Sequence, residues 1–225
     1  MPWRRKTPDR NELVAAADRA RVRGRTRKAI AGYRKALQLA PGDPAVHARI
    51  APLLARAGRR EEALASFRAA AEAQLRAGFV DRGLSLLVQA ADAFPEEVGL
   101  WEEIARLHLA RSRRADAFAA LLDGGRRLDR LREFALGGLV LRRALEIEPW
   151  QPEATRLLAR ALAKGRRRVE ALELLDGLDA RARGTARRRA RWMAFRISPT
   201  PRRLWRSIQA ARGVRGDEAP GGRPG

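Results

Sequence analysis

The chain has 225 residues, of which 48 are Lys or Arg and 26 are Asp or Glu, and its formal net charge is +22. The absence of cysteine excludes disulfide bonds, thiolate catalysis and cysteine metal sites. Apolar residues make up 45% of the chain, which is enough for a packed core, yet no apolar run approaches the roughly 20 residues that a membrane-spanning helix needs.

The chain begins with a basic segment, which we predict to be a tail covering residues 1–9. Arg4, Arg5 and Lys6 are not followed by an apolar stretch, so the pattern is not that of a secretory signal. We therefore expect the protein to be cytoplasmic.

From residue 10 onward, the sequence has the pattern of paired amphipathic helices. Apolar residues in segment 10–43 recur at the i, i+3, i+4, i+7 spacing, and the Pro-Gly-Asp-Pro run at 41–44 ends the second helix. The pattern returns 34 positions later, where Ala29, Tyr33 and Ala36 correspond to Ala63, Phe67 and Ala70.

Farther along, the repeat lengthens to 54 residues. Ala63 corresponds to Ala117 and then to Ala171. The longer unit contains three predicted helices, at about 98–111, 114–129 and 133–148, and the middle one serves two overlapping repeats. Two further sets obey the same shift: Ile50, Ile104 and Leu158, and Ala51, Ala105 and Ala159.

This pattern resembles the tetratricopeptide repeat (TPR) family over roughly residues 10–180. The family is marked by small residues where two helices touch, aromatic residues between them and a closing proline. Trp101 stands at the family's first-helix Trp position, Ala117 at its second-helix Ala and Pro41 at its terminal Pro. The resemblance implies an all-α fold, an α-solenoid of stacked antiparallel helix pairs forming a TPR-like superhelix of ten to twelve helices.

The resemblance also implies a groove, lined by the first helices of the repeats, for a partner peptide or helix. Basic residues are favoured at the later groove positions and would suit an acidic peptide; the alternative is that all these positions are ordinary solvated helix faces. A three-helix unit moves the next first helix into the opposite layer. The sequence therefore leaves both faces of the solenoid as alternatives for the groove position on helix 98–111. The predicted groove residues are Arg21, Arg56, Arg106, Arg156, Arg160 and Lys164.

Residue patterns for catalysis and metal binding are sparse. His47 and His108 are the only imidazoles, and both align with packing positions of the repeat. No HExxH spacing and no GxSxG serine occur. We therefore predict no enzyme activity, no metal site, no cofactor and no small-molecule substrate. The expected function is that of a scaffold or adaptor that binds another protein.

Residues 181–212 are predicted to form Arg-rich helices, and 213–225 a disordered tail rich in Gly and Pro. Between residues 180 and 216 there are twelve arginines and no acidic residue. One interpretation is a cap on the repeats, with the arginines facing solvent. In that cap, Trp192, Phe195, Ile197, Leu204, Trp205 and Ile208 would seal the last hydrophobic face.

Two other interpretations of this segment give its charge a function. It would bind nucleic acid or another polyanion through phosphate neutralisation and stacking, or it would attach to an anionic membrane surface. A compositional bias of the coding DNA toward Arg and Ala would also produce the charge. The predicted polyanion-binding residues are Arg187, Arg188, Arg189, Arg191, Trp192, Arg202, Arg203, Trp205 and Arg206.

Overall fold

The computed structural model describes residues 9–211, with the side chains of 210 and 211 left out. These residues form twelve α-helices and no strand, which confirms the predicted all-α fold. None of the twelve is long and apolar enough to cross a membrane. The predicted tail 213–225, and all of the predicted tail 1–9 except Asp9, lie outside the described residues. The helices are α1 Arg10–Val22, α2 Thr26–Leu39, α3 Pro44–Arg56, α4 Arg60–Arg76, α5 Val80–Ala93, α6 Val98–Ala110, α7 Arg114–Leu131, α8 Phe134–Ile147, α9 Pro152–Lys164, α10 Arg168–Arg181, α11 Gly184–Ile197 and α12 Pro201–Ala211.

Short local signals start and end these helices. Asp9 caps α1 by accepting a hydrogen bond from the Glu12 amide at 2.7 Å, and the Glu12 carboxylate accepts one from the Asp9 amide at 3.2 Å. Gly24 and Gly58, which follow α1 and α3, have φ of 69° and 72°. Glycine adopts this left-handed conformation without strain, so the chain can turn back within a few residues.

The described residues divide into two compact units, the first ending at Leu107 and the second beginning at His108. In the first unit α1 packs on α2, α3 on α4, and α4 on α5. In the second unit each helix from α7 to α11 packs on the helix that follows it. The short connections make neighbouring helices antiparallel. The predicted stacking of antiparallel helix pairs is therefore confirmed within each unit, whereas the predicted domain boundary near residue 180 stays a prediction.

The positions that repeat in the sequence form the core of both units. Each aligned second-helix alanine is fully buried, and the aromatic rings of Tyr33 and Phe67 are buried beside them. Small side chains at these crossings let two helix backbones approach closely, while the aromatic rings fill the space on either side. The fully buried second-helix alanines are Ala29, Ala63, Ala117 and Ala171.

Glycine takes the place of alanine where α7 crosses α8. Gly124 and Gly125 are both buried in α7, as expected for small residues at a crossing. A Cβ atom on Gly125 would lie 2.6 Å from Cγ of Leu141, which is closer than van der Waals contact allows. The glycine therefore sets the distance between these two helices.

Candidate functional site

A groove of about 570 Å³ in the second unit is formed mainly by α9 and α11. We call it the α9–α11 groove. It contains three of the predicted groove residues, all from α9, and two of the predicted polyanion-binding residues, both from α11. Its lining residues are Arg156, Arg160, Ala163, Lys164, Arg168, Arg189, Trp192, Met193, Arg196 and Ile197.

Helical spacing explains why the cations meet in this groove. Arg156, Arg160 and Lys164 are each four residues apart, so they lie on one face of α9. The opposite face of α9 carries the buried Leu158 and Leu162, which hold the helix in the core. On α11, four of the lining residues are three or four positions apart and therefore share one face of the helix. They are Arg189, Trp192, Met193 and Arg196.

The guanidinium of Arg156, one of the groove cations, is partly desolvated. Its Nε atom is buried and has no hydrogen-bond partner among the described residues. Burial lowers the pKa of Arg156, and the positive charge of Arg189 lowers it further, while Glu153 acts in the opposite direction. Both lowering effects disfavour the charged form, so an anion placed beside Arg156 would relieve both.

Most of the remaining groove cations have no counter-charge. Arg160 lies 3.2 Å from Asp129. Lys164, Arg168, Arg189 and Arg196 form no ion pair with any residue in 9–211. The groove therefore combines an uncompensated positive charge with the apolar surfaces of its Trp, Met and Ile side chains.

Glu153, the nearest acidic residue on α9, is already engaged outside the groove. Arg126 of α7 donates to it in a bidentate arrangement, from Nε at 2.8 Å and from a terminal nitrogen at 2.7 Å. These hydrogen bonds lower the pKa of Glu153, and the charges of Arg126, Arg156 and Arg189 add to the effect. Because Arg126 takes both carboxylate oxygens, Glu153 neutralises the groove only in part.

Arg21 and Arg56 line a second pocket, of about 400 Å³, in the first unit. We call it the α1–α3 pocket. Its third arginine, Arg49, donates to Asp18 at 2.9 Å, and Arg21 lies 3.8 Å from the same carboxylate. The charge of this pocket is therefore partly cancelled inside the protein. Arg106, by contrast, is exposed on α6 beside Glu103 at 3.8 Å, and it is not part of the α1–α3 pocket.

The side chains predicted to bind a polyanion in the Arg-rich C-terminal segment do not share one environment. Arg187 and Arg191 both donate to Oδ1 of Asp179, at 3.0 and 2.6 Å, and Arg203 lies 3.3 Å from Asp176. These arginines tie α11 and α12 to α10. Two of the other predicted polyanion-binding residues line the α9–α11 groove, as given above, and Arg206 lines a small pocket beside Asp176 and Asp179. The remaining three, Arg188, Arg202 and Trp205, are exposed.

Four of the six side chains expected to form the hydrophobic seal are exposed, so the prediction is wrong for those four. Leu204, Trp205 and Ile208 are 40%, 59% and 37% exposed, and Trp192 is 54% exposed, although Phe195 and Ile197 are half-buried. Helix α11 packs on α10 and α12 packs on α11, and Arg203 and Ser207 are the α12 side chains that face the protein. Of the ion pairs to the two aspartates of α10, the one between Arg203 and Asp176 involves α12.

The two histidines and the carboxylates give no metal centre in the described part of the chain. Within residues 9–211, no three His, Asp or Glu side chains come together in a way that could hold a metal ion. His47 instead contacts the carbonyl oxygen of Pro41 at 2.8 Å through Nε2, next to the start of its own helix.

Paired helices with short connections, buried alanines at the crossings and aromatic rings between them are the features that characterise TPR repeats. The fold is TPR-like. No protein-family model and no curated protein sequence matches the chain.

Several solved structures are similar to this TPR-like chain. MamA protein is 13% identical, with 91% of this chain and 95% of that chain covered and a TM-score of 0.33. For a kinesin light chain from Podosopora anserina with nearly identical TPR-like repeats, the identity is 15%, the coverage 90% and 92%, and the TM-score 0.40. The Rap conjugation gene regulator of plasmid pLS20 in complex with the Phr* peptide is 12% identical, with 91% of this chain and 63% of that chain covered and a TM-score of 0.41. At these scores, the description of the fold rests on the helices themselves.

Proposed function

We propose that the protein binds an acidic segment of a partner protein in the α9–α11 groove and acts by recognition, without covalent chemistry. One observation carries the proposal: six cations line this groove, and only Arg160 has a carboxylate of the described chain within ion-pair distance. Carboxylates on an extended or helical partner would supply the missing counter-charges. The six cations are Arg156, Arg160, Lys164, Arg168, Arg189 and Arg196.

The apolar part of the groove favours a peptide as the ligand. Trp192, Met193 and Ile197 line the same space as the cations, so a segment with both acidic and apolar side chains finds partners for each. Arg156 adds to the attraction, because burial and the charge of Arg189 both disfavour its charged form and a carboxylate beside its guanidinium would offset them.

Nucleic acid is a weaker fit to the described residues. A bound strand needs a continuous track of cations that are free to neutralise successive phosphates. Three of the predicted polyanion-binding arginines, Arg187, Arg191 and Arg203, are already paired with aspartates of α10. In the α9–α11 groove, by contrast, five of the six cations form no ion pair within residues 9–211.

The test uses a fluorescein-labelled deca-glutamate peptide, with deca-glutamine as the uncharged control, and fluorescence anisotropy on the full chain. At about 150 mM NaCl we expect binding of the glutamate peptide alone. The double variant Arg156→Met/Arg189→Met should weaken binding about tenfold or more, since each lost charge-assisted contact costs on the order of 1 kcal/mol.

The matched control is Arg21→Met/Arg56→Met, which removes the same charge from the α1–α3 pocket. It should change the affinity by less than about twofold. Absence of binding at this salt concentration, or an equal loss in both double variants, would overturn the proposal. So would stronger binding of a single-stranded oligothymidylate than of the peptide with the same dependence on Arg156 and Arg189, which would identify the groove as a nucleic-acid site.

A further inference from the structure

Helix α12 presents its apolar side to solvent. Arg203 and Ser207 are four residues apart and face the protein, Arg203 half-buried and Ser207 8% exposed. Leu204, Trp205 and Ile208 lie on the other side of the helix and are exposed. In an ordinary surface helix the apolar side is the one that packs. The exposed set forms one surface, which we call the α12 apolar face.

Specific polar contacts hold α12 in this orientation. Arg203 is paired with Asp176 at 3.3 Å, and a terminal nitrogen of Arg191 donates to the carbonyl oxygen of Arg206 at 3.3 Å. These two contacts join α12 to α10 and α11 on the side opposite Trp205, and they leave the apolar side chains facing outward.

We propose that the α12 apolar face docks on an anionic phospholipid surface. Charge complementarity supports this occupant, because residues 180–216 contain no acidic side chain and exposed arginines, Arg188 and Arg202 among them, are without an ion-pair partner in the described chain. Trp at the headgroup level, aliphatic side chains just below it and arginines beside phosphates are the elements of an interfacial helix.

Two other occupants fit the α12 apolar face less well. A second copy of this chain would bring two arginine-rich faces together, and like charges across an interface are repulsive. A helix-binding groove in a partner protein reads anchors at i, i+3, i+4 and i+7, whereas the exposed anchors here extend only from Leu204 to Ile208. A lipid surface requires no matching groove.

The experiment is flotation of the full chain with phosphatidylcholine vesicles and with vesicles that also contain about 30% phosphatidylserine. We expect flotation with the anionic vesicles only. In the triple variant Leu204→Ser/Trp205→Ser/Ile208→Ser, the partition coefficient should fall about tenfold or more, because the apolar part of the binding is lost. At about 0.5 M NaCl, the unmodified chain should keep measurable binding and the triple variant none.

The matched control replaces three similarly exposed apolar residues in other helices, Leu39→Ser/Val88→Ser/Leu139→Ser. It should float like the unmodified chain. Arg156→Met, a groove variant of α9 outside residues 180–216, should float likewise, which separates this inference from the groove. Circular dichroism confirms that each variant is folded.

Three results would overturn the lipid inference. They are no flotation with anionic vesicles, equal flotation of the triple variant and the unmodified chain, and a concentration-dependent dimer that the triple variant abolishes without any vesicle binding.

Discussion

At the scale of single residues, close packing at helix crossings decides which positions tolerate a larger side chain. We predict that Gly125→Ala lowers the free energy of unfolding, because the new Cβ would lie 2.6 Å from Cγ of Leu141. Overpacking of this kind costs about 1–3 kcal/mol, against a gain of about 1 kcal/mol in helix propensity. Urea unfolding followed by circular dichroism should show a net loss of up to about 2 kcal/mol.

Gly99→Ala is the control for this prediction. Gly99 lies in the first turn of α6, and no atom lies within 4 Å of the position that its Cβ would take. Here the gain in helix propensity is not offset, so we expect unchanged or higher stability, by up to about 1 kcal/mol. Equal effects of the two substitutions would show that the contact with Leu141 does not restrict the crossing of α7 and α8.

Glu153 should make the stability of the second unit depend on pH. The hydrogen bonds from Arg126 lower the pKa of Glu153 in the folded state, so the pair stabilises the fold above the unfolded-state pKa. This contribution is lost as the pH falls through the lowered folded-state pKa. We predict that Glu153→Gln costs less than about 1 kcal/mol at pH 7, since the pair is partly exposed, and nothing once the carboxyl is protonated.

Chemical denaturation at neutral and acidic pH measures this difference. The exposed Glu72 of α4, replaced by Gln, is the control and should show no pH-dependent change relative to the unmodified chain. A cost of Glu153→Gln that persists at acidic pH would show that the side chain stabilises the fold through packing, with the ion pair making no contribution.

Some residues of the core and of the groove can be predicted from the sequence pattern, and others cannot. Buried alanines and the aromatic residue Tyr33 follow from the repeat, because each recurrence carries the same packing requirement. The three cations of α9 could be placed together because helical spacing is local. The pairing of Arg126 with Glu153 and the buried Nε of Arg156 depend on how α7, α9 and α11 approach one another, and the local sequence does not contain that information.

At the scale of elements, one carboxylate joins two helices. Asp179 of α10 accepts hydrogen bonds from Arg187 and Arg191 of α11, and the Asp179 and Arg191 side chains are only 15% and 17% exposed. Asp179→Asn would leave Arg191 largely buried without its counter-charge, at a cost of about 3 kcal/mol, the lower end for a buried pair because both side chains keep some exposure. We predict about tenfold or faster amide hydrogen exchange in α11 and α12, with little change in α7 and α8.

Hydrogen exchange followed by mass spectrometry gives this readout for each helix. Glu173→Gln, an exposed substitution on the same helix α10, should leave the exchange of α11 and α12 unchanged. If Asp179→Asn accelerates exchange in every helix of the second unit equally, the unit opens as a whole and Asp179 has no local role.

The orientation of α12 marks where element-scale inference from the sequence fails. The amphipathic spacing of Leu204 and Ile208 predicts burial, since an apolar stripe normally faces the core. In the structure Leu204 and Ile208 are exposed, while Arg203 faces the protein and pairs with Asp176, a residue 27 positions earlier in the chain. The sequence gives no direct sign of which partner an arginine will find.

At the scale of the whole molecule, a net charge of +22 has a consequence for stability. Like charges repel one another most in the compact state, and salt screens this repulsion: the Debye length falls from about 20 Å at 20 mM salt to about 6 Å at 300 mM. The ion pairs on the protein surface are weakened by the same screening, but exposed pairs contribute little individually. We therefore predict that the melting temperature rises by a few degrees over this range of NaCl, as measured by calorimetry.

Sodium sulfate at matched ionic strength separates screening from anion binding. Screening alone predicts the same rise for both salts. A larger rise in sulfate has two sources, binding of the anion to the folded chain and the exclusion of sulfate from the protein surface, and the groove variant separates them. If the α9–α11 groove is the site, Arg156→Met/Arg189→Met should remove the extra rise in sulfate and leave the rise in NaCl intact. A melting temperature that falls with NaCl would contradict the prediction and show that the ion pairs outweigh the net repulsion.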